Sequence, residues 1–166
     1  DTLVGQIATA SIQRSWYATG LTEVDDRLAD EYWKGDPQAF GLFRPRFTAG
    51  SDEDEKVCMP DASTLFWLRR GLKGQPLRGE LFGADDPRVP YSVTAHRPQP
   101  RPVASNGDAP VIAPAMVELR THLYVRVSGD PHCHQQVLLS RDPYGSPPHQ
   151  ANTSHSHRPT ALLRPL

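Results

Sequence analysis

Residues Val117 to Val127 alternate without interruption. Val117, Leu119, Thr121, Leu123, Val125 and Val127 share one parity, and Glu118, Arg120, His122, Tyr124 and Arg126 share the other. Successive side chains of an extended strand point to opposite faces, so the pattern predicts a half-buried strand about 35 Å long. The apolar parity is expected to face a core and the charged parity to face solvent or a polar partner. Leu123→Ala is then expected to cost about 2–5 kcal/mol. Ser128-Gly129-Asp130-Pro131 is turn chemistry, and Gln135 to Ser140 can return beside the first strand as a hairpin.

The prolines divide the rest. All 17 fall at or after Pro37, leaving a proline-free head. There, Val4, Ile7, Ala8, Ile12 and Trp16 follow helical spacing and predict a helix that stops at Gly20. Thr22 and Asp25 open a second helix with Val24, Leu28 and Tyr32 on one stripe, ended by Gly35-Asp36-Pro37. Thr64 to Arg69 is short and aromatic and is read as a strand, with a helix capped by Asp61 as its competitor. Val89 to Ala95 predicts another strand. His96 to Pro102 is expected to be a connector close to polyproline II. The expected fold class is therefore α+β: an N-terminal helix pair packed on a mainly antiparallel β-sheet, with an extended Pro/His-rich C-terminal tail. The boundaries are 1–36 for the helical segment, 37–141 for the β domain and 142–166 for the tail.

Charge and hydropathy narrow the function. Lys+Arg 18 against Asp+Glu 19 leaves a net charge of −1, so the chain lacks the basic surface that phosphate neutralisation needs, and no nucleic acid is expected. No apolar run approaches the roughly 18–20 residues of a membrane span. The chain begins at Asp1 rather than Met, which reads as a processed or trimmed terminus. An extracellular or virion setting suits it best.

The sequence contains no phosphate-cradling glycine loop, nucleophile elbow, H-E-x-x-H or C-x-x-C. His132 and His134 flank Cys133 and would point the same way on a strand, with His122 as a third ligand if the hairpin aligned them. The H-x-H pair resembles the metal motif of cupins over those residues alone. Gln135 and Gln136 stand where a cupin's glutamate is wanted, so neither a bound metal nor another cofactor is expected. Cys58 and Cys133 are candidates for a disulfide closing about 75 residues, worth about 4 kcal/mol in the chain-entropy model.

Residues 142–166 hold five prolines and few apolar groups, too little for a core. They are expected to act as an arm whose Leu162, Leu163 and Leu166 fill a neighbour's groove, with Arg158 and Arg164 at its rim. Leu123 to Gly129 with Gln135 to Ser140 resembles the last hairpin of minor pilins, without the hydrophobic pilin helix. The resulting expectation is a non-catalytic structural or assembly subunit, a virion, phage or surface-filament component that contacts other protein chains. The alternatives are a metal-dependent enzyme built on the H-x-H pair and a monomeric binding module using the proline-rich segment.

Overall fold

The structure, a computed structural model, describes residues 10–40, 45–49, 56–57, 59–106, 109–124, 129, 131–140 and 149–155. In chain order it contains β1 (Ser11–Tyr17), α1 (Thr22–Leu28), a 3-10 turn (Ala29–Glu31), α2 (Pro37–Phe40), β2 (Thr48–Ala49) and β3 (Lys56–Val57). There follow α3 (Ala62–Gly71), β4 (Pro76–Gly83), β5 (Ser92–Asn106), β6 (Ala109–Leu123), β7 (His132–Ser140) and β8 (His149–His155). Six strands form one antiparallel sheet in the order β1-β4-β5-β6-β7-β8, and β2 with β3 makes a separate two-stranded ladder. From β4 onward the sheet is a plain meander, while β1 adds to the free side of β4.

This architecture corrects the α+β expectation. The N-terminal helix pair is not formed: Ser11–Tyr17 is a strand paired along its length with β4, and only the second segment, α1 and its 3-10 extension, is helical. Helical spacing and strand alternation both fit Ile12 and Trp16. Pairing with β4 satisfies every second backbone group, which an isolated short helix cannot match. Residues 149–155, read as part of an extended tail, form the edge strand β8 on β7.

Thr64–Arg69 is also corrected, since it lies inside α3. Its competing signal wins: the Asp61 carboxylate accepts the Thr64 N–H at 2.8 Å and the Thr64 hydroxyl at 3.1 Å, and those bonds hold its carboxyl below the usual range. Leu68 and Leu72 are the helix's buried contacts, at 2% and 0% exposure. Gly71 lets α3 approach β6, because a Cβ there would lie 2.2 Å from Ile112 Cγ2 and 2.5 Å from its Cβ. Gly71→Ala is expected to destabilise by about 1–3 kcal/mol despite the better helix former, read as a shift of the urea midpoint. An unchanged midpoint would mean that α3 can ride off the strand freely.

The predicted connector 96–102 is likewise strand. β5 and β6 run 15 residues each, yet β4 pairs only with Ser92–Ala95 and β7 only with Glu118–Leu123 on that hairpin's flanks. The remainder, Pro98 to Pro114, projects as a two-stranded arm. Its prolines are compatible with a ladder because of where their nitrogens point. The Pro98 carbonyl accepts the Arg46 N–H at 3.0 Å, so Pro98 faces away from β6. Pro100 and Pro102 repeat that orientation at period two, and Pro114 sits opposite Pro100 in register. The missing donors therefore lie on the arm's outer edges, where no ladder bond is lost.

The 117–127 alternation is a strand as far as Leu123, but its faces are reversed. Glu118, His122 and Tyr124 are only 6%, 6% and 1% exposed, whereas Leu123 is 36% exposed. Val117 is buried at a bulge in the β5–β6 register; Val125 and Val127 lie outside the described residues. The physical reason is the covering layer. Residues Tyr32 to Asp36 lie over this face and bring polar partners with them, so a polar strand face is satisfied there. Leu123→Ala is accordingly expected to cost well under the 2–5 kcal/mol of a packed site.

Candidate functional site

Period-two geometry and the cross-strand register assign every sheet residue to one of two faces. On the covered face, Arg14, Glu80, Val93, His122, Cys133 and His155 form one row across all six strands. Trp16, Arg78, Ala95, Arg120, Gln135 and Thr153 form the next.

Two charge clusters occupy this face. Arg78 Nε donates to Glu80 Oε1 at 2.6 Å, with the side chains 3% and 0% exposed. The same Glu80 oxygen accepts the Trp33 N–H at 2.9 Å, and Arg78 Nη2 donates to the Trp33 carbonyl at 3.0 Å. The pair thus grips both backbone groups of one residue. Arg78 also lies over the Tyr32 ring at 4.8 Å, and Tyr32 meets Trp16 edge-on at 5.1 Å. Burial lowers the Arg78 pKa, opposed mainly by Glu80, and raises that of the Tyr32 phenol, opposed by Arg78. The Tyr124 hydroxyl donates to Asp36 Oδ2 at 3.0 Å, and the Trp33 indole N–H to the Arg88 carbonyl at 2.9 Å. In the second cluster, Glu118 accepts from Arg97, Arg120 and Gln135, tying β5, β6 and β7 together.

Among the described residues the opposite face is open and different in kind. Ser15, Gly79, Thr94, Thr121, His134 and Ser154 form its central row. Gln13, Leu81, Ser92, Leu123 and His132 flank it on one side, and His96, Leu119, Gln136 and Asn152 on the other. None of these positions is Asp, Glu, Lys or Arg. The hydroxyls of Thr94 and Thr121 meet at 3.3 Å, and Ser154 Oγ meets His134 Nδ1 at 3.1 Å. A shallow depression of about 410 Å³ lies here, lined by Ser15, Tyr17, Gly79, Leu81, Thr94 and His96 among others, with the mutually paired Arg78 and Glu80 also at its wall. A Cβ on Gly79 would meet nothing within 4 Å.

Burial lowers the His96 pKa, partly offset by its bond to the Leu77 backbone, so the folded chain favours neutral imidazole. A depressed histidine contributes no penalty above its unfolded pKa of about 6.5. It removes stability as pH falls through that value toward the folded one. Urea midpoints are expected to drop as pH falls below about 6.5, and His96→Gln should flatten that slope. An equal slope in the variant would assign the effect to other groups.

The structure distributes the sequence-predicted residues rather than gathering them. His122 sits on the covered face beside Cys133, whereas His132 and His134 share the open face. Among the described residues no three His, Cys, Asp or Glu side chains are placed to hold one ion. Purified protein is expected to carry no stoichiometric Zn, Fe, Mn or Ni after dialysis. Cys58, Arg158, Leu162, Leu163, Arg164 and Leu166 lie outside the described residues. The proline-rich candidate is bound into β5. What the sequence reading missed is the uncharged open face and the Arg78–Glu80 grip. Their residues are dispersed over six strands, and no local pattern joins them.

Residues 67–166 match the family described as Insecticide toxin TcdB middle/C-terminal region. The chain is similar to a crystallised TcdB2-TccC3 without its hypervariable C-terminal region, at 40% identity and a TM-score of 0.81. That match covers 95% of this chain and 8% of the other. A TcdB2-TccC3-Cdc42 structure matches at 38% identity and a TM-score of 0.82, covering 94% and 8%. A Photorhabdus luminescens Tc holotoxin pore matches at 39% identity and a TM-score of 0.82, covering 93% and 7%. No curated protein matches. The chain therefore spans a small fraction of the length of these structures.

Proposed function

The chain belongs to the insecticide toxin TcdB middle/C-terminal family, and from that premise we propose that it is a rigid structural panel within a much longer toxin component. Family membership supports reading it as a non-catalytic, assembly-type part of a toxin complex, in place of the virion, phage and filament settings expected from the sequence. Its partners in this reading are protein: the rest of its own polypeptide and a second component of the kind that accompanies TcdB2 in the similar structures.

One observation carries the panel reading. Among the described residues, charge is concentrated on the sheet face that the chain covers itself, and the side chains of the face left open are uncharged. Internal ion pairs then rigidify the panel, and the open face is left for neighbouring protein. Replacing residues 10–155 in the full-length chain by a flexible Gly/Ser linker is expected to abolish formation of the complex with its second component, as measured by light scattering. Any enzymatic activity of that second component, assayed separately, should be unaffected. A complex of normal mass formed without the segment would overturn the proposal.

A further inference from the structure

We infer that the open face of the six-stranded sheet is a docking surface buried in the intact protein, covered by another segment of the same, longer polypeptide. This rests on the family reading above.

A solvent-facing sheet surface ordinarily carries Lys, Arg, Glu or Asp, since these keep it wet and single. Here the central row Ser15, Gly79, Thr94 and Thr121 and the flanking Leu81, Leu119 and Leu123 carry none. The chain does not lack charge. Arg14, Arg78, Glu80, Arg97, Glu118 and Arg120 occupy the other parity of the same strands. That allocation fits a panel with protein on both sides.

The occupant's chemistry follows from the surface. The leucines stand beside a trough of hydroxyls with a gap at Gly79, where an added side chain has open space. The charges nearest the trough, Arg78 and Glu80, already neutralise each other, so a charged group docked there would be desolvated without a partner of its own, and the complementary segment presents apolar and small uncharged side chains. Its source follows from length. The match covers 8% of the similar chain, so most of such a polypeptide is tethered to this panel at high effective concentration. A second copy would have to be recruited from solution.

Thr94→Cys and Thr121→Cys, placed separately in the full-length chain, test burial through maleimide labelling resolved by peptide mass spectrometry. Val111→Cys, on the arm at 46% exposure, is the exposed reference. Labelling at 94 and 121 is expected to be about 100-fold slower than at 111; rates within a few-fold of the reference overturn the inference. A photo-crosslinking phenylalanine at Gly79, or at Ser15 in the same row should the first variant misfold, then identifies the occupant. Crosslinks within one chain support the assignment. Crosslinks to a second copy or to the other component overturn it. Both probes are read in chains that still assemble, so fast labelling there sinks the docking surface and leaves the structural reading standing. Assembly that survives loss of the segment does the reverse.

Discussion

Replacing Arg78 with methionine is expected to lower the stability of the chain by about 3–5 kcal/mol, the usual cost of removing one member of a buried ion pair. Glu80 would be left with a carboxylate at 0% side-chain exposure. Its Oε2 already has no partner among the described residues, so the orphaned charge has nowhere to turn. The Trp33 carbonyl loses its donor as well, and the strap over the sheet loses one of its two backbone anchors. Trp33 and Trp16 flank the site, so tryptophan emission during urea unfolding reports the loss directly. The double variant Arg78→Met, Glu80→Met should recover much of the stability, because two apolar side chains leave no buried charge behind. A single-variant cost below about 1 kcal/mol would show that the pair is hydrated and the strap loose.

Leu68→Ala and Leu72→Ala are each expected to cost about 2–5 kcal/mol. Both side chains are essentially inaccessible and hold α3 against the β5–β6 arm. The same Leu→Ala change at Leu123 is expected to cost far less, although all three leucines look equally apolar in the sequence. Comparing the three urea midpoints tests the assignment of faces. Equal costs at positions 72 and 123 would contradict it.

The sheet was legible where the strand signal was local. The β6 alternation as far as Leu123 and the return through Gln135 to Ser140 are strands of one antiparallel system. The face that β6 buries was not legible, because apolarity is a poor guide when the covering layer supplies hydrogen bonds. Tyr32 to Asp36 lies more than 80 residues before His122 in sequence, and nothing near β6 announces it. The N-terminal strand was hidden because Ile12 and Trp16 suit either period, and only β4, some 65 residues later, decides between them. The α3 helix was legible in part: Asp61 was a visible cap, but aromatic residues weighed toward strand. The ion-pair grip and the uncharged face are properties of cross-strand rows, and rows exist only once register is set.

The proline-bordered arm has a consequence for how such a polypeptide survives its own synthesis. A long β hairpin that emerges before its neighbours is ordinarily a template on which a second nascent chain can add a strand and nucleate aggregation. With no amide hydrogen to offer at 98, 100, 102 and 114, this one gives an intruding backbone only carbonyl acceptors along those stretches, half of what a strand ladder needs. The hairpin can close on itself, with α3 already made, and stay inert until β7 and β8, which follow it in the chain, arrive.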